Sequence, residues 1–313
     1  MLRKLALAGV LALLLLLPIQ TYADKQVGVL RHFADMPTGL PAEGLAIDEG
    51  HFYVGAISFT GVDGTIVVLD RSGAVTKEFT VPGFPIVGQV AVRDDGLFAV
   101  ACKAFSPTAS GAVVRVDLES GAVSTVATES TCPNGLAIDD SGNMFVTNIF
   151  AGTVSKVTPR GAVSVFASGP LLAPVLLSVG FAAGPNDLTF GKEGSALYVT
   201  NIGQNTVVKI DVKEDGTAGA ITTFAGVPAP DGLAFDRKGT LYVTSPFTNG
   251  LFVVTPAGAV SPLPLDTSHE SLVNPSNVAF QGHRLYITNL GLATGTGKIS
   301  VVAVQSPGCP CDD

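Results

Sequence analysis

Basic residues are scarce in this sequence. Lys and Arg together number 18 against 26 Asp and Glu, and they form no cluster. A long acidic chain without a basic patch argues against nucleic acid as a partner. Beyond the N-terminus no apolar run is long enough to cross a membrane. Strong amphipathic helical periodicity is missing as well, which disfavours a helical domain. There are only four cysteines, Cys102, Cys132, Cys309 and Cys311, and four histidines. Four cysteines allow three pairings, and sequence does not choose among them. The last two form CPC with no supporting His or Cys nearby. Residues 305–313 are therefore expected to be a polar tail, free or disulfide-bonded, and not a metal site.

The one long apolar run opens the chain. MLRK carries two positive charges, LALAGVLALLLLLPI is apolar, and TYA places Thr21 and Ala23 at the −3 and −1 positions of a cleavage site. This three-part order predicts a secretory signal peptide over 1–23, with a secreted or periplasmic/extracellular product. No Cys lies near the site, so a lipid anchor is not indicated. Cleavage removes Arg3 and Lys4 and no acidic residue, leaving the product more acidic still.

What is abundant is Gly (36) and Pro (20), along with many Val and Thr. Such a composition suits short strands joined by tight turns. One unit recurs six times: PAEGLAIDEGHFYVGA, IVGQVAVRDDGLFAVAC, CPNGLAIDDSGNMFVTN, GPNDLTFGKEGSALYVTN, APDGLAFDRKGTLYVTS and NPSNVAFQGHRLYITN. Equivalent positions hold Glu43, Gly88, Asn134, Asn186, Asp231 and Ser276, at steps of 45, 46, 52, 45 and 45. Further strand-like segments follow each copy, such as GTVSKVT (152–158) and AVSVFAS (162–168). Four short strands at a period in the mid-forties predict an all-β, six-bladed β-propeller over 24–304. The sixth copy runs out after three strands. The stretch KQVGVLRHF (25–33) is expected to complete blade six and close the ring.

In a propeller the innermost strand of each blade lines the central channel, so the six equivalent positions should ring one mouth. Their surroundings are steady while the side chains differ, which is how equivalent blades build an asymmetric site. Glu43 and Asp231 supply carboxylates, Asn134 and Asn186 supply amide oxygens, and no His or Cys takes a ring position. An all-oxygen set with two negative charges suits Ca²⁺ or another hard divalent cation. Zn²⁺ is disfavoured without nitrogen or sulfur ligands. Taken singly, each Asn or Asp is an ordinary turn former.

With these residues in place, the chain from about 41 to about 304 resembles the senescence marker protein/gluconolactonase (SMP-30/gluconolactonase/LRE-like) family of calcium-dependent six-bladed propellers. Diisopropylfluorophosphatase and paraoxonase are more distant relatives. The order Glu, none, Asn, Asn, Asp across blades one to five carries the likeness. It implies a calcium site of Glu43, Asn134, Asn186 and Asp231, with Asp231 also the catalytic carboxylate. There are two departures. Cys132, preceded by Thr131, stands nearest to where sugar-lactone members have a substrate-binding Arg, and the chain has no Trp. Both point away from a sugar lactone and leave the metal site untouched.

Other segments should share the mouth. GPLLAPVLLSVGFAAGP (169–185) accounts for the step of 52 and is almost wholly apolar. It reads as a lid over an apolar substrate part, a buried plug, or a membrane-surface contact. Cys102 and Cys132 fall near this mouth on adjacent blades, either as a disulfide or as two small buried residues. Asn148 and Asn201 end second strands and are candidates for substrate binding or for turn closure. His269, in DTSHES, is a candidate proton shuttle or a solvated loop residue.

Function is read in two main ways. The first is a secreted calcium-dependent hydrolase of the lactonase or esterase type, with Asp231 as general base or nucleophile. The second is a non-catalytic, NHL-like propeller that binds a ligand or protein at its mouth. A metal-free synthase of the strictosidine type is a third option, with no need for four oxygen ligands. The expected partner is a small-molecule substrate with an apolar part, bound by a monomer.

Overall fold

A computed structural model describes residues 27–93 and 96–309. The expected signal segment 1–23 and the tail from residue 310 lie outside the described residues. The described chain is a six-bladed β-propeller, each blade a four-stranded sheet, with one extra two-stranded hairpin. The only helical element among the described residues is a 3₁₀ turn at Pro170–Leu172.

Blades one to five use consecutive strands, ordered from the channel outward. Blade one is Ala42–Asp48, His51–Ala56, Gly64–Leu69 and Val75–Val81. Strand character changes with radius. The second strand of blade two, Gly96–Cys102, is buried at every residue, because neighbouring blades cover both of its faces. The outermost strand of blade one, VTKEFTV, is exposed at five of its seven residues. Lys and Glu on such an edge discourage pairing with another chain.

Hydrophobic cores form between blades. Tyr53, Ile66 and Val68 of blade one pack with Val90, Leu97 and Ala99 of blade two. Equivalent clusters join the other neighbours, which makes the ring continuous.

Blade six consists of Pro275–Gln281, Arg284–Asn289, Lys298–Ala303 and, outermost, the N-terminal strand Leu30–Asp35. The closing strand therefore lies a few residues beyond the expected 25–33. Gly28 has φ +86°, a left-handed turn that only glycine takes easily, and Val29 makes an isolated bridge to Asp266 before regular pairing begins. Closure is also a packing event. Phe33 stacks 4.7 Å from Phe52 of blade one and 4.9 Å from Tyr286 of blade six.

The start of the tail is not a loose end. Gly308 N–H donates to Gly282, Cys309 N–H donates to Phe235, and the Cys309 side chain is buried in the blade-five core.

Candidate functional site

Five of the six variable positions sit in β-bulges. Register slips between Ala42 and Leu45, Val87 and Val90, Pro133 and Leu136, Pro185 and Leu188, and Pro275 and Val278. A bulge frees its residues from strict alternation and re-aims a side chain. Here the freed residues are Glu43, Gly88, Asn134, Asn186 and Ser276. In blade five regular pairing begins at Leu233, and Asp231 is held by its N–H to the Thr244 carbonyl at 3.0 Å.

The glycines after Glu43, Asn134 and Asp231 are required by crowding. A Cβ on Gly44 would lie 2.3 Å from the Gly88 carbonyl oxygen, one on Gly135 2.7 Å from that of Asn186, and one on Gly232 2.5 Å from that of Ser276. Each bulge thus presses on the next blade's bulge. In the alternate blades the residue after the ring position is instead Gln89, Asp187 or Asn277, and each fills the space its neighbour's glycine leaves.

A repeated threonine fixes the spacing. Thr147 Oγ1 accepts from Gly135 N–H at 2.7 Å and donates to the Asn186 carbonyl of the next blade. Thr244 does the same for Gly232 and the Ser276 carbonyl, at 2.8 Å each. Thr288 donates to the Glu43 carbonyl at 2.9 Å and accepts from Asn277 N–H at 2.9 Å. Ser276, itself a ring residue, spends its hydroxyl on the Ala42 and Glu43 carbonyls, at 2.8 and 3.1 Å.

This scaffold brings buried carboxylates together. Glu43 is 9% exposed, Asp231 5% and Asp187 2%. Burial pushes the Glu43 carboxyl up to about 7, a hydrogen bond from Asn134 offsets part of this, and the charge of Asp187 adds to it. Asp231 is raised well above the usual carboxylate range, first by burial, then by the charges of Glu43 and Asp187. No Lys or Arg contributes to either shift. Nearby, Asn186 Oδ1 is buried without a hydrogen-bond partner. Uncompensated negative charge and a partnerless amide oxygen are what a hard cation would satisfy. Among the described residues no three His, Cys, Asp or Glu side chains form a metal-holding group by themselves. Cation binding here would therefore draw on the amides of Asn134 and Asn186 as well as on carboxylates, and the residues fit that demand.

The family model described as SMP-30/Gluconolactonase/LRE-like region matches residues 149–291. This part of the chain is thus similar to that family. The region contains Asn186 and Asp231, while Glu43 and Asn134 precede it in the chain. Several solved structures share the fold. A gluconolactonase from Xanthomonas campestris is 20% identical, with a TM-score of 0.65 over 88% of this chain and 89% of that one. Virginiamycin B lyase from Staphylococcus aureus is 17% identical, with a TM-score of 0.59 over 90% and 88%. An auxiliary nutrient binding protein from Bacteroides thetaiotaomicron is 13% identical, with a TM-score of 0.64 over 88% and 76%. No curated protein matches the chain.

Below the ring, Leu45, Val90, Leu136, Leu188, Leu233 and Val278 lie along the channel, one residue per blade. They line a cavity of about 200 Å³ that has Gln89 near the ring and Asp48, Arg93 and Asp140 toward the opposite face.

The remaining candidates are placed differently from Glu43 and Asp231. Asn148 is buried; its Nδ2 donates to Ser155 at 2.9 Å and its Oδ1 accepts from Thr131 at 3.3 Å. Ser155 in turn donates to Glu129 at 3.3 Å, a buried carboxyl raised by desolvation. Asn201 donates to the Leu171 carbonyl at 2.9 Å and accepts from Gln204 N–H at 3.1 Å. Both amides thus close loops within the protein. His269 is exposed, on the loop between blades five and six. A disulfide joins Cys102 and Cys132, tying blade two to the segment entering Asn134.

Sequence reasoning overlooked Asp187 and Asn277. Their signal was available: the residue after the ring position is Gly in blades one, three and five, and larger and polar in the others. Glu129 carries no such signal, since it ends an ordinary outer strand.

Proposed function

We propose that the protein is an exported, cation-dependent hydrolase acting on a lactone or ester, with Ca²⁺ as the resident ion. One observation carries this reading. Glu43 and Asp231 are buried carboxyls, the charges of Glu43 and Asp187 push Asp231 further up, and the partnerless oxygen of Asn186 lies beside them. The match to the SMP-30/gluconolactonase/LRE-like region supports it, as does the likeness to a gluconolactonase fold. Lyases and binding proteins share the fold, so the site and not the architecture bears the argument.

Glu43, Asn134, Asn186 and Asp231 would hold the ion. When bound, it supplies Lewis acidity toward a carbonyl oxygen and favours the negative charge that develops there. Asp231 has the chemistry of a general base and would take a proton from the attacking water. Asp187 keeps the site negative, and its position is fixed by Asn277 and by its own backbone neighbour. Thr147, Thr244 and Thr288 hold the ring carbonyls in register, so the donors are placed before substrate arrives. In a lactone the leaving alkoxide stays tethered, and a separate acid is less needed.

The test is calcium calorimetry on the exported form beside Asp231→Ala, followed by a lactone and ester screen with Ca²⁺ or EDTA. Binding lost in the variant, with turnover that needs Ca²⁺, is the expected result. No calcium binding by the wild type would overturn the metal reading. Calcium binding without turnover of any lactone or ester would leave a non-catalytic, ligand-binding propeller.

A further inference from the structure

The loops that follow second strands all reach the face where the ring lies. Five of the six carry a large apolar residue at nearly the same place. Phe59 and Phe105 stand three residues beyond Ala56 and Cys102, Phe150 and Phe247 two beyond Asn148 and Ser245, and Leu292 three beyond Asn289. Blade four has Gly203 and Gln204 there, and the apolar segment before it fills the gap. That segment folds as a hairpin, Val175–Leu176 against Ala182–Ala183, with Leu176 72% exposed at its edge. Of twelve large apolar side chains exposed among the described residues, eight belong to this face. An apolar patch rimming a polar depression marks a binding surface more often than chance exposure does.

The rim is also built to hold its shape. Gln204 Nε2 donates to the Pro170 and Ala173 carbonyls at 2.7 and 2.8 Å, and Gly184 N–H donates to the Ile149 carbonyl at 2.8 Å. Phe105 packs edge-on against Phe150 at 5.0 Å and Phe181 at 5.2 Å, which joins blade two, blade three and the hairpin. The Cys102–Cys132 disulfide anchors the base of the Phe105 loop beside the segment that enters Asn134. The aromatic cluster is therefore continuous, through that disulfide-linked segment, with the ring.

We propose that this rim is a specificity subsite for a neutral apolar arm of the substrate, centred on Phe105, Phe150, Phe181 and Leu176. The ligand it fits has an ester or lactone group at the ring and an aliphatic or aromatic chain of several carbons lying across the rim. This rests on the hydrolase reading for the head group, and on the rim alone for the arm. A charged arm would lose hydration against these side chains without gaining a partner. An anionic membrane surface is a poorer occupant, since the chain is net negative and the hairpin has no basic flank.

Two measurements separate the arm from the head group. The first is kcat/KM for γ-lactones from γ-butyrolactone to γ-dodecalactone in the wild type, Phe105→Ala and Leu176→Asp. Wild-type values are expected to rise about two- to four-fold per methylene until the rim is covered, and the rise should flatten in both variants. The second needs no turnover. N-phenyl-1-naphthylamine fluorescence should report a site from which 1-decanol, but not 1-butanol, displaces the probe, in the wild type and in Asp231→Asn alike. Displacement that is lost in Leu176→Asp, with no lactone turned over by the wild type, would sink the hydrolase reading and uphold the subsite. A flat chain-length series, or no displaceable probe, would overturn the subsite and leave the hydrolase reading standing. Binding to phosphatidylcholine vesicles that Leu176→Asp abolishes, without decanol displacement, would also overturn it in favour of a membrane contact. Leu176 is so exposed that its replacement should not unfold the chain, and a melting curve for each variant checks this.

Discussion

Asn277 Nδ2 donates to Asp187 Oδ2 at 2.9 Å, joining residues 90 positions apart on blades six and four. The other Asp187 oxygen accepts from Leu188 N–H at 2.8 Å. Asp187 is thus a fixed negative group, and its charge acts on both Glu43 and Asp231. A ring with its own electrostatic repulsion built in is costly without a counter-ion. That cost links the geometry to the following outcomes.

The Asp187→Asn variant should relieve the repulsion. In EDTA at about pH 8 it is expected to melt above the wild type, by an amount equivalent to about 1–2 kcal/mol. Calcium affinity should fall by about tenfold or more, since one nearby charge is lost. Scanning calorimetry and titration of the same preparation check both. Lower stability in EDTA would mean that Asp187 acts mainly through its bond to Asn277.

Stability of the cation-free protein should depend on pH. Glu43 is raised to about 7, and Asp231 is raised well above its usual range. The native chain therefore keeps protons that the unfolded chain has released. The stability tied to them is fully present below the ordinary carboxyl range and is lost as pH rises through about 7. Buried Glu129 shifts in the same direction. Asp70, Asp117, Asp215 and Asp266 are lowered, so their contribution disappears only in more acid solution. Melting temperature in EDTA should fall between about pH 5 and pH 8, and Ca²⁺ should reverse the fall. In Glu43→Gln the slope should be shallower.

The Thr147→Val variant removes the hydroxyl that bridges Gly135 N–H and the Asn186 carbonyl. Two buried polar groups then lose a partner, at a cost of about 1–3 kcal/mol. Denaturant unfolding should show this, and calcium affinity should weaken because the next blade's ring residue is no longer held. Thr147→Ser, which keeps the hydroxyl, should recover most of the affinity. Equal loss in both variants would assign the effect to packing.

At Gly232 even one methyl group is too large. A Cβ there would lie 2.5 Å from both the Asn277 Cα and the Ser276 carbonyl oxygen. Backbone cannot step aside as a side-chain tip can, so Gly232→Ala should destabilise by about 1–3 kcal/mol or more. It should also displace Asp231 and reduce calcium binding. Gly226→Ala, with nothing within 4 Å of its Cβ, is the control expected to be close to neutral.

The Cys102–Cys132 disulfide closes a span of 30 residues. Its removal by Cys102→Ser with Cys132→Ser should cost about 2–4 kcal/mol, mostly through the unfolded chain. Circular dichroism melts of the double variant beside the wild type, both without reductant, check the value.

Sequence alone determined the repeat architecture and the chemical asymmetry of the ring. Period and strand pattern are local properties, so six blades, closure by an N-terminal strand and the variable positions Glu43, Asn134, Asn186 and Asp231 could be read along the chain. The closing strand was placed a few residues early, because Gly28 permits a left-handed turn that its backbone bonds to Ala303 and Asp266 select. Tertiary structure decided what each polar residue is free to do. Asn148 and Asn201 have the same chemistry as Asn134, yet their amides are committed to Ser155, Thr131 and the Leu171 carbonyl. Asp187 reads as a turn residue until the bulge turns it toward Asn277 from another blade. The exposed apolar rim likewise emerges only when loops far apart in sequence reach one face. Hydrogen bonds, burial and charge repulsion act through space, and in a closed ring the neighbours that count are one blade or two blades away, at separations no local pattern records.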